Sequence, residues 1–149
     1  MKTIDIVQIH EILKGLSLAG LSFQGQKVIL KNLRQLKPTA ERFPEDIKEA
    51  TEKLKPEGFE DIEKKAVAHN QAVESGSEID RLQGEELKAV SRVYAEFNKK
   101  LSDYVDELGN EEVEISLEKI PEEDFEQLLS ANAEKMEAGK LALLEEILC

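Results

Sequence analysis

The sequence has few of the residues on which metal, redox or cofactor chemistry usually depends. Its 149 residues include one cysteine, two histidines and no tryptophan, and only 5% are aromatic. The single cysteine, Cys149, excludes an intramolecular disulfide and a cysteine-rich zinc site. The core must therefore be mainly aliphatic, and nothing in the cysteine content requires an oxidising compartment.

Long hydrophobic runs are also missing. No stretch approaches the ~18 consecutive apolar residues of a membrane span. Near the amino terminus, Asp5, His10 and Glu11 interrupt the apolar pattern, which does not fit a signal peptide. We therefore expect a cytoplasmic protein with no membrane partner.

Proline and glycine are scarce, with four and eight residues, while 40% of the chain is hydrophobic and 35% is charged. This composition is typical of a folded, helix-rich protein. Apolar residues recur at helical spacing, most clearly over residues 78–108. We predict a mainly α fold with one domain over 1–149, in which a helical bundle surrounds this long central helix. The segments 1–74 and 77–149 are candidate subdivisions. Further helices are predicted over 5–16, 23–36, 44–54, 59–74, 121–129 and 132–148, with Pro38 ending the second.

One segment has the period of a β-strand. Val113, Ile115 and Leu117 alternate with polar residues, so one face is expected to be buried. We predict a short strand or hairpin near residues 112–118. Its expected partner is the Met1–Val7 region or a second copy of the chain, because a lone strand leaves its backbone unpaired.

Charge is distributed unevenly along the chain. Residues 1–40 carry a net charge of +4 and residues 41–149 carry −16, which together make the total of −12. A field of this sign repels nucleic acid, so we expect no direct nucleic-acid partner. Two surfaces are candidate partner-binding sites. The basic one contains Lys27, Lys31 and Arg34; the acidic one contains Glu111, Glu112, Glu114, Glu118, Glu122, Glu123, Asp124 and Glu126.

No arrangement of residues indicates a catalytic, cofactor or metal site. Neither His10 nor His69 has a second histidine or a carboxylate at ligand spacing on one helix face. Cys149 follows acidic residues at the end of a predicted helix, where a thiol is not activated. We expect both histidines to lie at the surface, and the chain not to be an enzyme.

Several features are similar to small phage- and prophage-encoded proteins of unassigned function. These are the segment from Ile12 to Ser22 with its glycine and serine turns, the helix from Lys27 to Leu36, the passage Leu108–Ile115 and the amphipathic tail Leu144–Leu148. The resemblance implies an assembly or host-targeting role.

The sequence thus favours a non-enzymatic protein–protein interaction module, self-associating as a homo-oligomer, whose acidic surface contacts a basic protein partner. Two alternatives stay open. One is an acidic mimic of nucleic acid that inhibits a DNA- or RNA-binding enzyme. The other is a small enzyme that uses carboxylates.

Overall fold

A computed structural model describes all 149 residues, of which 74% are helical. The prediction of a mainly α protein is confirmed. The six helices are α1 (Thr3–Lys14), α2 (Phe23–Leu54), α3 (Phe59–Ser75), α4 (Gly84–Asn110), α5 (Glu122–Asn132) and α6 (Ala138–Leu148).

The chain forms two compact units. Unit 1 consists of Met1–Asp46 and Glu107–Cys149, and unit 2 consists of Ile47–Asp106. The units are therefore interleaved in sequence, because α2 and α4 each contribute residues to both. The candidate subdivision into residues 1–74 and 77–149 has different bounds and stays a prediction.

The core of unit 1 is aliphatic, as the composition requires. Fully buried side chains come from four helices: Ile6 and Leu13 of α1, Ile29 and Leu36 of α2, Leu128 of α5, and Leu144 and Leu148 of α6. Unit 2 contains a small aromatic cluster. The ring centroid of Phe59 lies 5.3 Å from that of Tyr94 and 4.8 Å from that of Phe97.

Helix α2 continues through two prolines, so the prediction that it ends at Pro38 is wrong. Pro38 and Pro44 both lie on the exposed side of the helix. Proline removes one backbone hydrogen bond, and on this side the freed carbonyl can bind water. Buried Leu36, Ala40 and Phe43 keep the helical spacing across both prolines. Packing of this stripe therefore overrides the local stop signal.

The segment after α4 is extended but is not a strand, so the predicted strand or hairpin near 112–118 is wrong. Its pairing with the amino terminus stops at a single antiparallel bridge between Lys2 and Glu112. The Thr3 N–H donates to the Glu111 carbonyl at 2.9 Å. In this antiparallel register Met1 lies opposite Val113 and exchanges backbone hydrogen bonds of 2.9 and 3.0 Å with it. The residues from Thr3 onward, where α1 begins, therefore run away from residues 114–118 and cannot pair with them. The predicted alternation persists in burial, since Val113, Ile115 and Leu117 pack against the core.

The other helix boundaries differ from prediction where the backbone adopts left-handed conformations or turns. The long helix begins at Gly84 rather than near residue 78, because Asp80 and Gly84 have φ values of 64° and 57°. The last helix begins at Ala138 rather than at Asn132, because α5 continues to Asn132 and a turn follows it. None of the helices has the length and apolarity needed to cross a bilayer.

Replacing Pro38 with alanine tests the account of α2. The variant restores a backbone donor at an exposed position, so we expect the free energy of unfolding to rise by about 1–3 kcal/mol. The exposed substitution Lys48→Ala is the control and should change stability by less than about 0.5 kcal/mol. Urea unfolding followed by circular dichroism measures both, and an unchanged or lower stability of Pro38→Ala would contradict the account.

Candidate functional site

The two charged surfaces predicted from the sequence meet in unit 1. We define the acidic segment as residues 111–126. Lys31, on α2, forms an ion pair with Glu118 of this segment, and both side chains are about half exposed. The extended chain and the start of α5 therefore lie beside the first half of α2.

A buried amide holds the acidic segment at this point. The Asn32 side chain is completely buried. Its Nδ2 donates to the Glu118 carbonyl and its Oδ1 accepts from the Glu118 N–H, both at 2.9 Å. A neighbouring strand would offer the same donor and acceptor. Asn32 thus satisfies the backbone of an extended residue that has no strand beside it.

A buried carboxylate attaches α5 to the beginning of α2. Asp124 Oδ1 accepts from the Ser22 N–H at 2.7 Å, and Oδ2 accepts from the Ser22 hydroxyl at 2.5 Å. The Ser22 oxygen in turn accepts from the Gly25 N–H at 3.1 Å, which makes Ser22 the N-cap of α2. A Cβ at position 25 would overlap the Asp124 carboxylate, so the close approach requires glycine.

Hydrogen bonding determines the charge state of Asp124. The Ser22 hydroxyl, and then the Ser22 backbone N–H, lower the pKa of this carboxyl because both donors stabilise its ionised form. Asp124 is only 5% exposed. It therefore has a structural role, and we leave it out of the surface that a partner could contact.

The other acidic residues predicted as partner-binding stay accessible. Glu118 is half-buried in its ion pair, and Glu112 binds the amino-terminal ammonium group of Met1 at 3.0 Å. Five exposed carboxylates have no ion pair within the chain: Glu111, Glu114, Glu122, Glu123 and Glu126. The last three lie on the side of α5 opposite buried Phe125 and Leu128.

The basic side of α2 is also accessible and is partly apolar. Lys27 and Arg34 are exposed and have no ion pair within the chain. Phe23 is 82% exposed and Leu30 is 47% exposed, although the sequence pattern placed Leu30 on the buried side. The spacing 23, 27, 30 and 34 puts these four side chains on one helix face. The sequence pattern identifies the cations of this face but not its apolar residues, because the spacing of Leu30 also fits the buried stripe of the helix.

The histidines and the cysteine do not form a reactive site. His10 is buried rather than at the surface, and its Nδ1 has no hydrogen-bond partner. In unit 2, His69 Nδ1 accepts from the Leu82 N–H at 2.9 Å, which ties the turn before α4 to α3. Desolvation, and then the Glu145 carboxylate, raise the pKa of the Cys149 thiol, so it is not activated.

Unit 1 also contains a cleft of about 290 Å³ beside α1. Glu11, Lys135 and Lys140 line it together with Gln8 and Met136. One carboxylate and two ammonium groups are therefore present, without a histidine or cysteine. No group of three or more histidine, cysteine or acidic residues is arranged to hold a metal ion.

The chain matches no protein-family model, no curated protein and no solved structure. The resemblance to phage-encoded proteins therefore stays a prediction.

Replacing Asn32 with leucine tests whether its two hydrogen bonds with Glu118 fix the acidic segment. The variant keeps the number and branching of the side-chain heavy atoms but leaves two backbone groups of Glu118 unpaired, at about 1–3 kcal/mol each. We expect the free energy of unfolding to fall by about 2–4 kcal/mol. Hydrogen exchange should also show faster exchange of the Glu118 amide. The control Asn98→Leu, at an exposed position of α4, should leave both measurements unchanged. Equal effects in the two variants would argue against the role of the Asn32 hydrogen bonds.

The lowered pKa of Asp124 predicts a pH-dependent contribution to stability. Because the folded pKa lies below the unfolded value of about 3.9, the ionised carboxylate stabilises the fold fully above that pH. This contribution disappears as pH falls through the folded pKa. We therefore expect wild type to be more stable than Asp124→Asn at pH 7, with a difference that narrows below about pH 4.

Urea unfolding at pH 7, 5, 4 and 3 measures this difference. The exposed Asp103→Asn substitution is the control at pH 7 and should change stability by less than about 0.5 kcal/mol. A difference between wild type and Asp124→Asn that stays constant down to pH 3 would contradict the assignment.

Proposed function

We propose that this chain is a non-enzymatic protein–protein interaction module whose acidic segment contacts a basic partner. The observation that carries the proposal is the fixed array of five unpaired, exposed carboxylates: Glu111, Glu114, Glu122, Glu123 and Glu126. The segment that carries them is fixed by the hydrogen bonds of Asn32 with the Glu118 backbone and of Asp124 with Ser22. Little ordering entropy then remains to be lost when a partner binds, which supports affinity and specificity.

The charge of the whole chain supports a protein partner rather than a nucleic acid. The net charge is −12, and one cation of α2, Lys31, pairs with Glu118 of the acidic segment. A phosphate backbone has one sign of charge and would be repelled over most of this surface. A protein partner can place lysine and arginine against the carboxylates only. In keeping with the resemblance to phage-encoded proteins, we propose an assembly or host-targeting role.

A labelled, lysine-rich helical peptide is a defined probe for this function. We compare wild type with Glu114→Gln/Glu123→Gln/Glu126→Gln by fluorescence anisotropy. Each exposed ion pair contributes about 0.2–1 kcal/mol, so the triple variant should bind about tenfold more weakly. Binding by wild type should also weaken between about 50 and 300 mM salt, because exposed charges are screened.

The control has the same change in net charge outside unit 1. Glu57, Glu60 and Glu96 are exposed residues of unit 2, and their triple glutamine variant should bind within about twofold of wild type. An equal loss in both triple variants would show that the peptide responds to net charge alone and would refute a localised acidic site.

A further inference from the structure

The first half of α2 carries a face that nothing in the chain covers. We define the outer face as Phe23, Lys27, Leu30 and Arg34. Phe23 is 82% exposed and Leu30 is 47% exposed, while both cations are exposed and without an acidic partner. The opposite side of the same helix holds Ile29 and Asn32, which are fully buried. The helix is therefore anchored in unit 1 with its outer face open.

Exposure of Phe23 is the unusual feature. Single exposed aliphatic residues are common on protein surfaces. A phenylalanine exposed by four fifths next to a second apolar residue and two unpaired cations is a composition typical of an interface anchor. Burying such a side chain contributes about 1.5–3 kcal/mol.

The acidic segment contacts α2 at residues that neighbour the outer face in sequence. Phe23 follows Ser22, which binds Asp124 of α5, and Lys31 on the same helix pairs with Glu118. Glu122, Glu123 and Glu126 are exposed on the turn of α5 that contains Asp124. The contact between Ser22 and Asp124 thus brings the start of the outer face, at Phe23, to the turn of α5 that carries unpaired carboxylates, and unpaired cations follow along the same face of α2.

We propose that the outer face is covered by the acidic segment of a second copy of this chain, in a two-fold symmetric dimer. A surface with adjacent positive and negative parts is self-complementary under a two-fold rotation, because each part meets the opposite part of the other copy. Lys27 and Arg34 of one copy then face Glu123 and Glu126 of the other, and the second pairing forms at the same time. The inference rests on the proposed function and identifies the basic partner as α2 itself.

Long-range repulsion between two chains of charge −12 does not prevent this pairing. At physiological ionic strength, charges more than about 8 Å apart are largely screened. Contacts between oppositely charged groups across the interface therefore contribute far more to the free energy of association than the repulsion between the two net charges. An anionic membrane or a nucleic acid would satisfy Lys27 and Arg34 but would oppose the carboxylates beside them. A second copy satisfies both.

To test the dimer, we reverse the charge of the outer face in one variant and of the acidic segment in another, and then mix the two variants. Sedimentation equilibrium of the full chain should show wild type self-associating as a dimer between about 1 and 500 μM. Lys27→Glu/Arg34→Glu leaves acidic side chains at positions 27, 34, 123 and 126, and Glu123→Lys/Glu126→Lys leaves basic side chains at all four. Each variant alone should dimerise at least about tenfold more weakly, and an equal mixture should recover the affinity of wild type.

Two controls separate charge and folding from the interface. Lys64→Glu/Arg92→Glu has the same charge change at exposed positions of unit 2 and should dimerise within about twofold of wild type. Phe23→Ala should weaken the dimer about tenfold or more without lowering the free energy of unfolding measured at a concentration where wild type is monomeric.

The outcomes distinguish this inference from the proposed function. A wild-type chain that stays monomeric to about 500 μM overturns the dimer, and specific binding of the lysine-rich peptide would then leave the proposed function standing. A dimer weakened by Lys27→Glu/Arg34→Glu but not by Glu123→Lys/Glu126→Lys also overturns it, because the acidic segment would not be the occupant. Recovery in the mixture supports the inference.

Discussion

Buried polar side chains that bind backbone groups are the constraint on which the rest of unit 1 depends. Asn32 pairs with both backbone groups of Glu118, and Asn132 pairs with those of Ser17, at 2.8 Å to the N–H and 2.9 Å to the carbonyl. Asp124 accepts two bonds from Ser22. An unpaired backbone group in a buried position is expensive. These side chains remove that cost without a sheet, so the irregular segments can pack directly on the helices.

The same constraint determines which interaction fixes the acidic segment. The ion pair between Lys31 and Glu118 is half exposed, and pairs of that kind contribute about 0–1 kcal/mol. Each hydrogen bond made by Asn32 contributes a comparable net amount, but its loss would leave a buried group unpaired at about 1–3 kcal/mol. The amide therefore fixes the register of the segment, whereas the ion pair only adds to it. Surface charge and stability are thus separable here, because the residues that fix the segment differ from the exposed carboxylates that it presents.

Helical periodicity predicted the fold class and the start of α2, because those depend on apolar stripes that are local in sequence. It failed where a distant residue decides the outcome. The alternation of Val113, Ile115 and Leu117 indicates one buried face but cannot show whether a strand lies beside it. A buried asparagine such as Asn32 looks like any polar residue of a helix. Pro38 does not end α2, for a related reason. It leaves the carbonyl of Arg34 without a helical donor, but both residues are exposed to water while the opposite side of α2 is packed.

The candidate surfaces were visible as charge in the sequence, but their proximity was not. A total of −12 suggests a chain that attracts any basic molecule, and a section of +4 suggests a separate basic site. Folding brings the two signs into contact through Lys31 and Glu118, and exposed Phe23 follows Ser22, which binds Asp124 of the acidic segment. Because charges more than about 8 Å apart are largely screened, a partner responds to this local arrangement and not to the net charge of the whole chain. A partner that covered both surfaces would therefore have to offer both signs of charge and an apolar contact, whereas a basic partner can bind the acidic segment alone.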